Sequence, residues 1–276
     1  MPPFNRDGIQ FHYRDEGEGV PFVFQHGLGG DVSQPFGLYA PPPLGVRLIA
    51  FDARGHGETR PLGDPKKIAL AVFADDLVAL LDLLGIERAV VGGISMGAAV
   101  ALNTALRYPD RLLGLVLSRP AWLDRPLPEN ARVYPHIAQY ILKHGAKEGL
   151  ELFRQTPEFA EVARQSPDAA QSLVRQFEHP RAEECLARLE RIPHDSPCHD
   201  RTEWAAIKVP VLVLGNRVDP IHPWKFAQTL AAEIPGASLR ELTSKAIDAN
   251  RHAADVRSAL DEFFKRHFLK GTNGSC

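Results

Sequence analysis

The stretch Ala89-Val90-Val91-Gly92-Gly93-Ile94-Ser95-Met96-Gly97-Ala98-Ala99 constrains this chain more than any other. A short apolar run enters a sharp turn at 93–97, and an alanine-rich, helix-favouring segment leaves it. The turn reads G-x-S-x-G, a pattern that predicts strand, tight turn and helix, with a strained serine at its centre. The chain on either side of such a turn passes close by, and glycines at 93 and 97 remove the side chains that would collide. Ser95 is therefore expected above the end of a buried strand, with a helix N-terminus beneath it that favours developing negative charge. A turn that merely needs a small residue at 95 would carry the same string, so the remaining chain has to decide.

Other runs supply the frame. Residues 9–15 alternate like a strand with one exposed face, whereas 21–24, 47–51, 112–117 and 208–214 are continuous apolar runs, as in strands covered on both sides. A last short strand is expected at 238–242. Helical spacing occupies 68–84, the segment from the elbow to Tyr108 before Pro109, and the stretch carrying Phe226, Leu230 and Ile234. A final helix is expected after His252, with Val256, Leu260, Phe263 and Phe264 on one face. The alternation implies an α/β chain with a mostly parallel sheet. Between 120 and about 203 no strand-like run occurs. Short amphipathic pieces at 130–144, 146–155, 158–165, 167–178 and 181–191 make this segment a candidate helical lid. The chain thus divides into a first core part (1–119), a helical cap (120–203) and a second core part (204–276).

Three strand ends carry chemistry. Gln25-His26-Gly27-Leu28-Gly29-Gly30-Asp31 follows a buried strand, and its glycines let backbone amides approach a ligand. The N–H groups of Leu28 and Met96 read as a pair of oxyanion donors, and His26 as a structural hydrogen-bonder. Asp219 stands just past the strand at 208–214, and His252 closes the loop after the last strand. Ser95, Asp219 and His252 follow the chain order nucleophile, acid, histidine. Asp248 and Asp124 compete for the acid's place. His222 competes for the histidine's, but it opens a helix right beside the acid, so His252 is preferred. Asp52-Ala53-Arg54-Gly55-His56-Gly57 reads as a structural loop held by Asp52 and Arg54. His194-Asp195-Ser196-Pro197-Cys198-His199-Asp200 matches no zinc spacing and reads as a polar hinge; no metal and no cofactor are expected.

Bulk properties exclude several classes. The net charge is −2 and Lys/Arg are scattered, which argues against nucleic acid and anionic membrane surfaces as partners. No apolar stretch approaches bilayer length, and the first residues lack the apolar core of a signal peptide. Three cysteines without C-x-x-C spacing read as reduced thiols in a cytoplasmic protein. Residues 271–276 look like a frayed tail. The oligomeric state has no signature.

H-G-L-G-G-D (26–31), D-A-R-G-H-G (52–57), G-I-S-M-G (93–97), G-N-R-V-D-P-I-H-P (215–223) and His252 together resemble the α/β-hydrolase superfamily over residues 5–268. Within it the chain is most similar to small lactonases, esterases and carbon–carbon bond hydrolases, the group that includes 3-oxoadipate enol-lactonase. The resemblance implies an eight-stranded, mostly parallel sheet with a helical cap after the sixth strand. It departs in one place: such relatives usually carry glycine directly before the histidine, where Asn250-Arg251 stand here. The expected activity is hydrolysis of a small carboxylic ester or lactone through an acyl-enzyme, by Ser95, Asp219 and His252. Carbon–carbon bond hydrolysis or acyl transfer on the same residues is the alternative within the enzyme class, and small-ligand binding in the capped cavity the alternative outside it. Trp122, Tyr134 and Trp224, with Tyr140, are candidates to line the pocket. Arg119 could hold a substrate carboxylate or pair with an acid of the cap.

Overall fold

A computed structural model describes residues 2–269; the tail at 271–276, with Cys276, lies outside the described residues. The chain opens with β1 (Phe4–Arg6), β2 (Ile9–Phe11), β3 (Tyr13–Gly17), β4 (Gly19–Gln25), α1 (Ser33–Tyr39) and β5 (Gly45–Phe51). It continues through α2 (Leu70–Leu83), β6 (Ala89–Ile94), α3 (Met96–Arg107) and β7 (Leu112–Ser118). Helices α4 (Val133–Phe153), α5 (Pro157–Gln165), α6 (Pro167–Glu178) and α7 (Ala187–Arg191) follow without a strand. The core resumes with β8 (Val211–Gly215), α8 (Trp224–Glu233), β9 (Ala237–Glu241) and α9 (Ala249–His267).

The main sheet has seven strands in the order β3-β5-β4-β6-β7-β8-β9. Only β3 runs antiparallel to its neighbour; every other pairing is parallel. Successive strand residues serve opposite faces, and both faces are buried. In β4, Val23 joins the core shared with Phe73 and Leu77 of α2, while Phe22 and Phe24 join Tyr39 of α1 and Phe264 of α9. This is why the runs were apolar throughout rather than alternating.

The expected eight strands become seven because the strand read at 9–15 breaks at His12. The His12 N–H donates to the Thr59 hydroxyl (3.1 Å), and its Nδ1 lies 2.8 Å from Asp52 Oδ2. The residues before it turn away and pair as the separate hairpin β1–β2. The helical segment consequently follows the fifth strand of the main sheet in chain order, not the sixth.

Inside that segment, α4 is broken at Gly145 (φ 74°), matching the two pieces read at 130–144 and 146–155. Thr156 and Ser166 cap the following two helices through Phe159 N–H and Ala169 N–H. Asp195 reaches back to accept the Leu70 N–H at the start of α2 (2.7 Å), and Asp200 caps the turn at Arg201–Ala206. The polar 194–200 stretch therefore ties the end of the helical segment to α2 and caps the turn that leads back to β8. Cys185 and Cys198 are buried free thiols. Among the described residues no helix is long and apolar enough to cross a membrane.

A difference at the last helix matters most for function. Asp248 accepts the Arg251 N–H (2.9 Å) and caps α9, which starts at Ala249 and so includes His252 in its first turn. The expectation put His252 in the preceding loop.

Burial sets an acid limit on this fold. His26, His56 and His252 are each at most 1% exposed, and burial holds all three below the ordinary imidazole value, His252 at about 4. The unfolded chain takes up these protons near pH 6.5 and the folded chain resists them. Their contribution is thus complete above pH 6.5 and is lost as the pH falls toward 4. At pH 5 the loss for His252 alone is about 2 kcal/mol. The Tm is expected to fall by at least about 4 °C between pH 7.5 and pH 5. A Tm unchanged across that interval, measured by circular dichroism, would show that the buried histidines protonate without penalty.

Candidate active site

Ser95 sits between β6 and α3 at φ 57°, ψ −111°, a backbone conformation that costs a non-glycine residue strain. The surroundings over-determine it. Its N–H donates to Ser118 O (2.9 Å), and its carbonyl accepts from Ala98 and Ala99 N–H at the head of α3. A Cβ on Gly93 would lie 2.1 Å from the Gly97 carbonyl carbon, and one on Gly97 would lie 2.3 Å from Gln25 O. The two glycines are therefore steric necessities of the turn. Among the described residues, the Ser95 hydroxyl has no hydrogen-bond partner in the protein. Ser95 lines a small, partly enclosed cavity.

The loop after β4 forms one wall, through Gly27 and Leu28. His26 anchors it as a structural group. Its Nε2 accepts the Ala53 N–H (3.0 Å), which leaves Nδ1–H to donate to Gly27 O (2.8 Å). Asp52 binds the same loop from below, accepting Val32 N–H at one oxygen and Glu58 N–H at the other, while Arg54 pairs with Asp76 through two bonds of 2.6 and 2.7 Å. From above, Gln176 of α6 donates to Leu28 O (3.2 Å), and its own carbonyl accepts from Arg188 (2.8 Å), a fully buried arginine of α7. Neither the Leu28 nor the Met96 N–H donates to another group among the described residues.

The opposite wall comes from β7, from the turn after β8 and from the loop before α9. Asp219 lies in the turn after β8, where its Oδ1 accepts the N–H groups of Ile221 and His222, both at 3.1 Å. Its Oδ2 takes Arg119 Nη2 at 2.7 Å and faces His222 Nδ1 at 2.9 Å. Burial alone would raise the Asp219 carboxyl, but His222 and Arg119 outweigh it and hold the group far below the ordinary carboxylate range. Being ionised, Asp219 can only accept, which favours a proton on His222 Nδ1, while Arg119 Nη2, which can only donate, also lies 3.2 Å from that nitrogen. Burial pushes the His222 imidazole below its ordinary value; Asp219 opposes that push and Arg119 adds to it. His222 lines the same cavity as Ser95.

His252 is elsewhere in the network. Its Nδ1 is 2.8 Å from Thr243 O, it makes no hydrogen bond to Asp219, and it is not among the residues lining the Ser95 cavity. The histidine that stands beside Asp219 is thus His222, where the sequence had favoured His252. Lys245 stands in the loop between β9 and α9 and lines the cavity. Tyr134 lines it as expected, whereas Trp122 and Trp224 do not: Trp122 packs in the core cluster, and Trp224 lies under the Arg217 guanidinium. Asp124 pairs with Arg201 and Asp248 caps α9, which leaves Asp219 as the acid beside a cavity histidine. The arrangement offers a hydroxyl on a strained turn, a neutral imidazole backed by a carboxylate, and two unpaired backbone N–H groups. That set can add a serine oxygen to a carbonyl and stabilise the charge that results.

A family model described as "alpha/beta hydrolase fold" matches residues 20–253. The chain is 29% identical over 248 residues to AB hydrolase superfamily protein YisY of Bacillus subtilis, covering 84% of this chain and 86% of that one. Among solved structures it is similar to the enol-lactonase of Burkholderia xenovorans, with TM-score 0.72 and 25% identity over 93% of this chain and 97% of the other. It is equally similar to a thermophilic esterase of Thermogutta terrifontis, with TM-score 0.72 and 26% identity over 95% of both chains. With its seven-stranded sheet, its serine turn after β6 and this match across most of its length, the chain belongs to the α/β-hydrolase family.

Proposed function

We propose that this protein is a serine hydrolase that cleaves a small carboxylic ester or lactone through an acyl-enzyme, with Ser95 as nucleophile, His222 as base and Asp219 as its orienting acid. The observation that carries the reading is the 2.9 Å contact of His222 Nδ1 with Asp219 in a residue that lines the same cavity as Ser95. Similarity to an enol-lactonase and to an esterase supports the substrate class.

His222 Nε2 takes the Ser95 Oγ proton as Oγ attacks the carbonyl carbon. Leu28 and Met96 N–H receive the oxyanion, and loss of one such donor typically costs about 3–4 kcal/mol. The imidazolium returns its proton to the leaving oxygen as the C–O bond breaks. In a lactone that oxygen stays attached to the acyl chain. Water, deprotonated by His222, then releases the acid. Because Arg119 shares the Asp219 carboxylate, the imidazole is held neutral to lower pH than a carboxylate alone would allow.

The test combines acid release with covalent mapping. In a pH-stat, the protein should release acid from γ- or δ-lactones or short-chain esters. A fluorophosphonate should stop that release and leave one adduct per chain, on the tryptic peptide containing Ser95. Acid release with the adduct elsewhere would overturn the Ser95 assignment. Release from no member of the panel would remove the ester and lactone reading, leaving carbon–carbon hydrolysis, acyl transfer or ligand binding.

A further inference from the structure

The loop that carries the Leu28 N–H is a tight turn with a choice of shapes. Gly27 O accepts the Gly30 N–H at 2.9 Å, so Gly27 to Gly30 close a β-turn. Within it φ is positive at Gly29 (75°) and not at Leu28, the pattern of a type II turn. Types I and II differ by rotation of the central peptide, here Leu28–Gly29, and glycine at the third position tolerates both. His26 Nδ1 holds the preceding peptide at Gly27 O. The Leu28–Gly29 peptide is held at Leu28 O, where Gln176 Nε2 is the only donor among the described residues (3.2 Å). A Cβ on Gly29 would collide with that same amide, so Gln176 lies directly against the turn.

Gln176 is itself set by a buried cation. Arg188 of α7 is wholly buried and has no carboxylate partner among the described residues. Its Nη1 donates to Gln176 Oε1 (2.8 Å), Nη2 reaches Gln176 O at 3.5 Å, and Nε has no partner. Burial pushes the guanidinium down to about 10, so it stays charged at neutral pH. Because a guanidinium can only donate, it takes Oε1 and turns Nε2 toward Leu28 O. The reversed amide would set two acceptors face to face at the Leu28 carbonyl. A buried charge without a counter-ion is costly, and an apolar side chain of similar volume in its place is often neutral or stabilising. Support of the fold is therefore a poor reason for this arginine.

We propose that Arg188 is a positioning residue for catalysis: through Gln176 it locks the turn that presents the Leu28 N–H to the oxyanion. Neither side chain lines the Ser95 cavity, so both act without touching substrate. Oxyanion donors are effective because they are oriented before charge develops. A turn that exchanges between two shapes has to be re-formed on the way to the transition state, which lowers kcat and leaves ground-state binding alone. This kinetic consequence rests on the hydrolase reading, whereas the locking of the turn does not need the chemistry.

Two substitutions separate positioning from support of the fold. Gln176→Glu keeps the shape and gives Arg188 a carboxylate, but an ionised carboxylate cannot donate to Leu28 O. Arg188→Met removes the unpaired charge and frees the amide to reverse. Neither should lower the Tm. Each should lower kcat by at least about tenfold on an ester or lactone that the wild type turns over, with KM within a few-fold. Arg188→Lys, which keeps a cationic donor, should recover part of the loss. Unchanged kcat in both variants, or losses that follow a fall in Tm, would overturn the proposal. Amide relaxation dispersion reads the turn without turnover. Leu28 and Gly29 should be quiet in the wild type and exchange on the microsecond-to-millisecond timescale in Gln176→Glu. Such exchange in a protein that releases no acid would uphold the lock and reject the hydrolase reading. Amides that behave alike in the wild type and both variants would reject the lock.

Discussion

Ser95→Ala is expected to lower kcat for acid release by about 10⁴-fold or more, with KM within a few-fold of the wild type. The side chain removed is the nucleophile, and nothing else on the cavity wall substitutes for it: Ser172 lies on α6, without a histidine–carboxylate pair behind it. What remains is binding and the backbone donors, which support only slow attack by water. The same position allows a stability control. Ser95 has a positive φ, so Ser95→Gly relieves backbone strain while removing the hydroxyl. The glycine variant should be as inactive as the alanine variant and have a Tm no lower than the wild type. Equal kcat in wild type and Ser95→Ala would remove Ser95 from the chemistry altogether. Inactivity with a Tm collapse in both variants would mean that the loss reports unfolding.

His222→Ala is expected to lower kcat by about 10³- to 10⁴-fold, whereas His252→Ala should change it by less than about tenfold. The contrast follows from the partners. His222 Nδ1 faces an ionised carboxylate and the ring lines the cavity; His252 Nδ1 faces a backbone carbonyl and the ring lies on the buried side of α9. Loss of His252 should appear in Tm, since it leaves a small void and an unpaired Thr243 carbonyl. A pH profile gives the second readout. Catalysis needs neutral His222, and burial together with Arg119 holds the imidazole below its ordinary value of 6.5. Wild-type kcat/KM should therefore rise with pH along a limb centred below 6.5 and be level at neutrality. In His222→Ala that limb should vanish, and in His252→Ala it should stay. A kcat loss larger in His252→Ala than in His222→Ala, with the limb abolished there, would return the base to His252.

The similarity of this chain to an enol-lactonase and to an esterase is spread over nearly its full length, and the departure read in the sequence lies just before His252. In the loop from Thr243 to Asp248 the cavity side is taken by Lys245. Asp219 and His222 share one tight turn, so their geometry is set by local hydrogen bonds to Ile221 and His222 N–H. The loop before α9 is free to carry a cation instead.

The elbow was legible in the residues because its causes are local. Glycine at 93 and 97 is demanded by contacts within a few residues and with the neighbouring strand end, and the apolar runs report burial on both faces. Asp219 was legible for the same reason, as the end of a buried strand is where ligands gather. Even the start of α9 had its signal in Asp248, three residues before the N–H it accepts. Reading past it put His252 in the loop.

What composition and spacing determined by themselves was an α/β chain with Ser95 on a strained turn, a carboxylate past β8 and a helical segment between β7 and β8. That His252 does not reach Asp219, that Tyr134 but neither Trp122 nor Trp224 lines the cavity, and that Lys245 and Arg175 line it together were decided only by the tertiary structure. Local sterics and burial periodicity write themselves along the chain. Convergence of side chains far apart in the chain depends on sheet order and on how the helices after β7 fold back over it, and no short stretch of sequence records that.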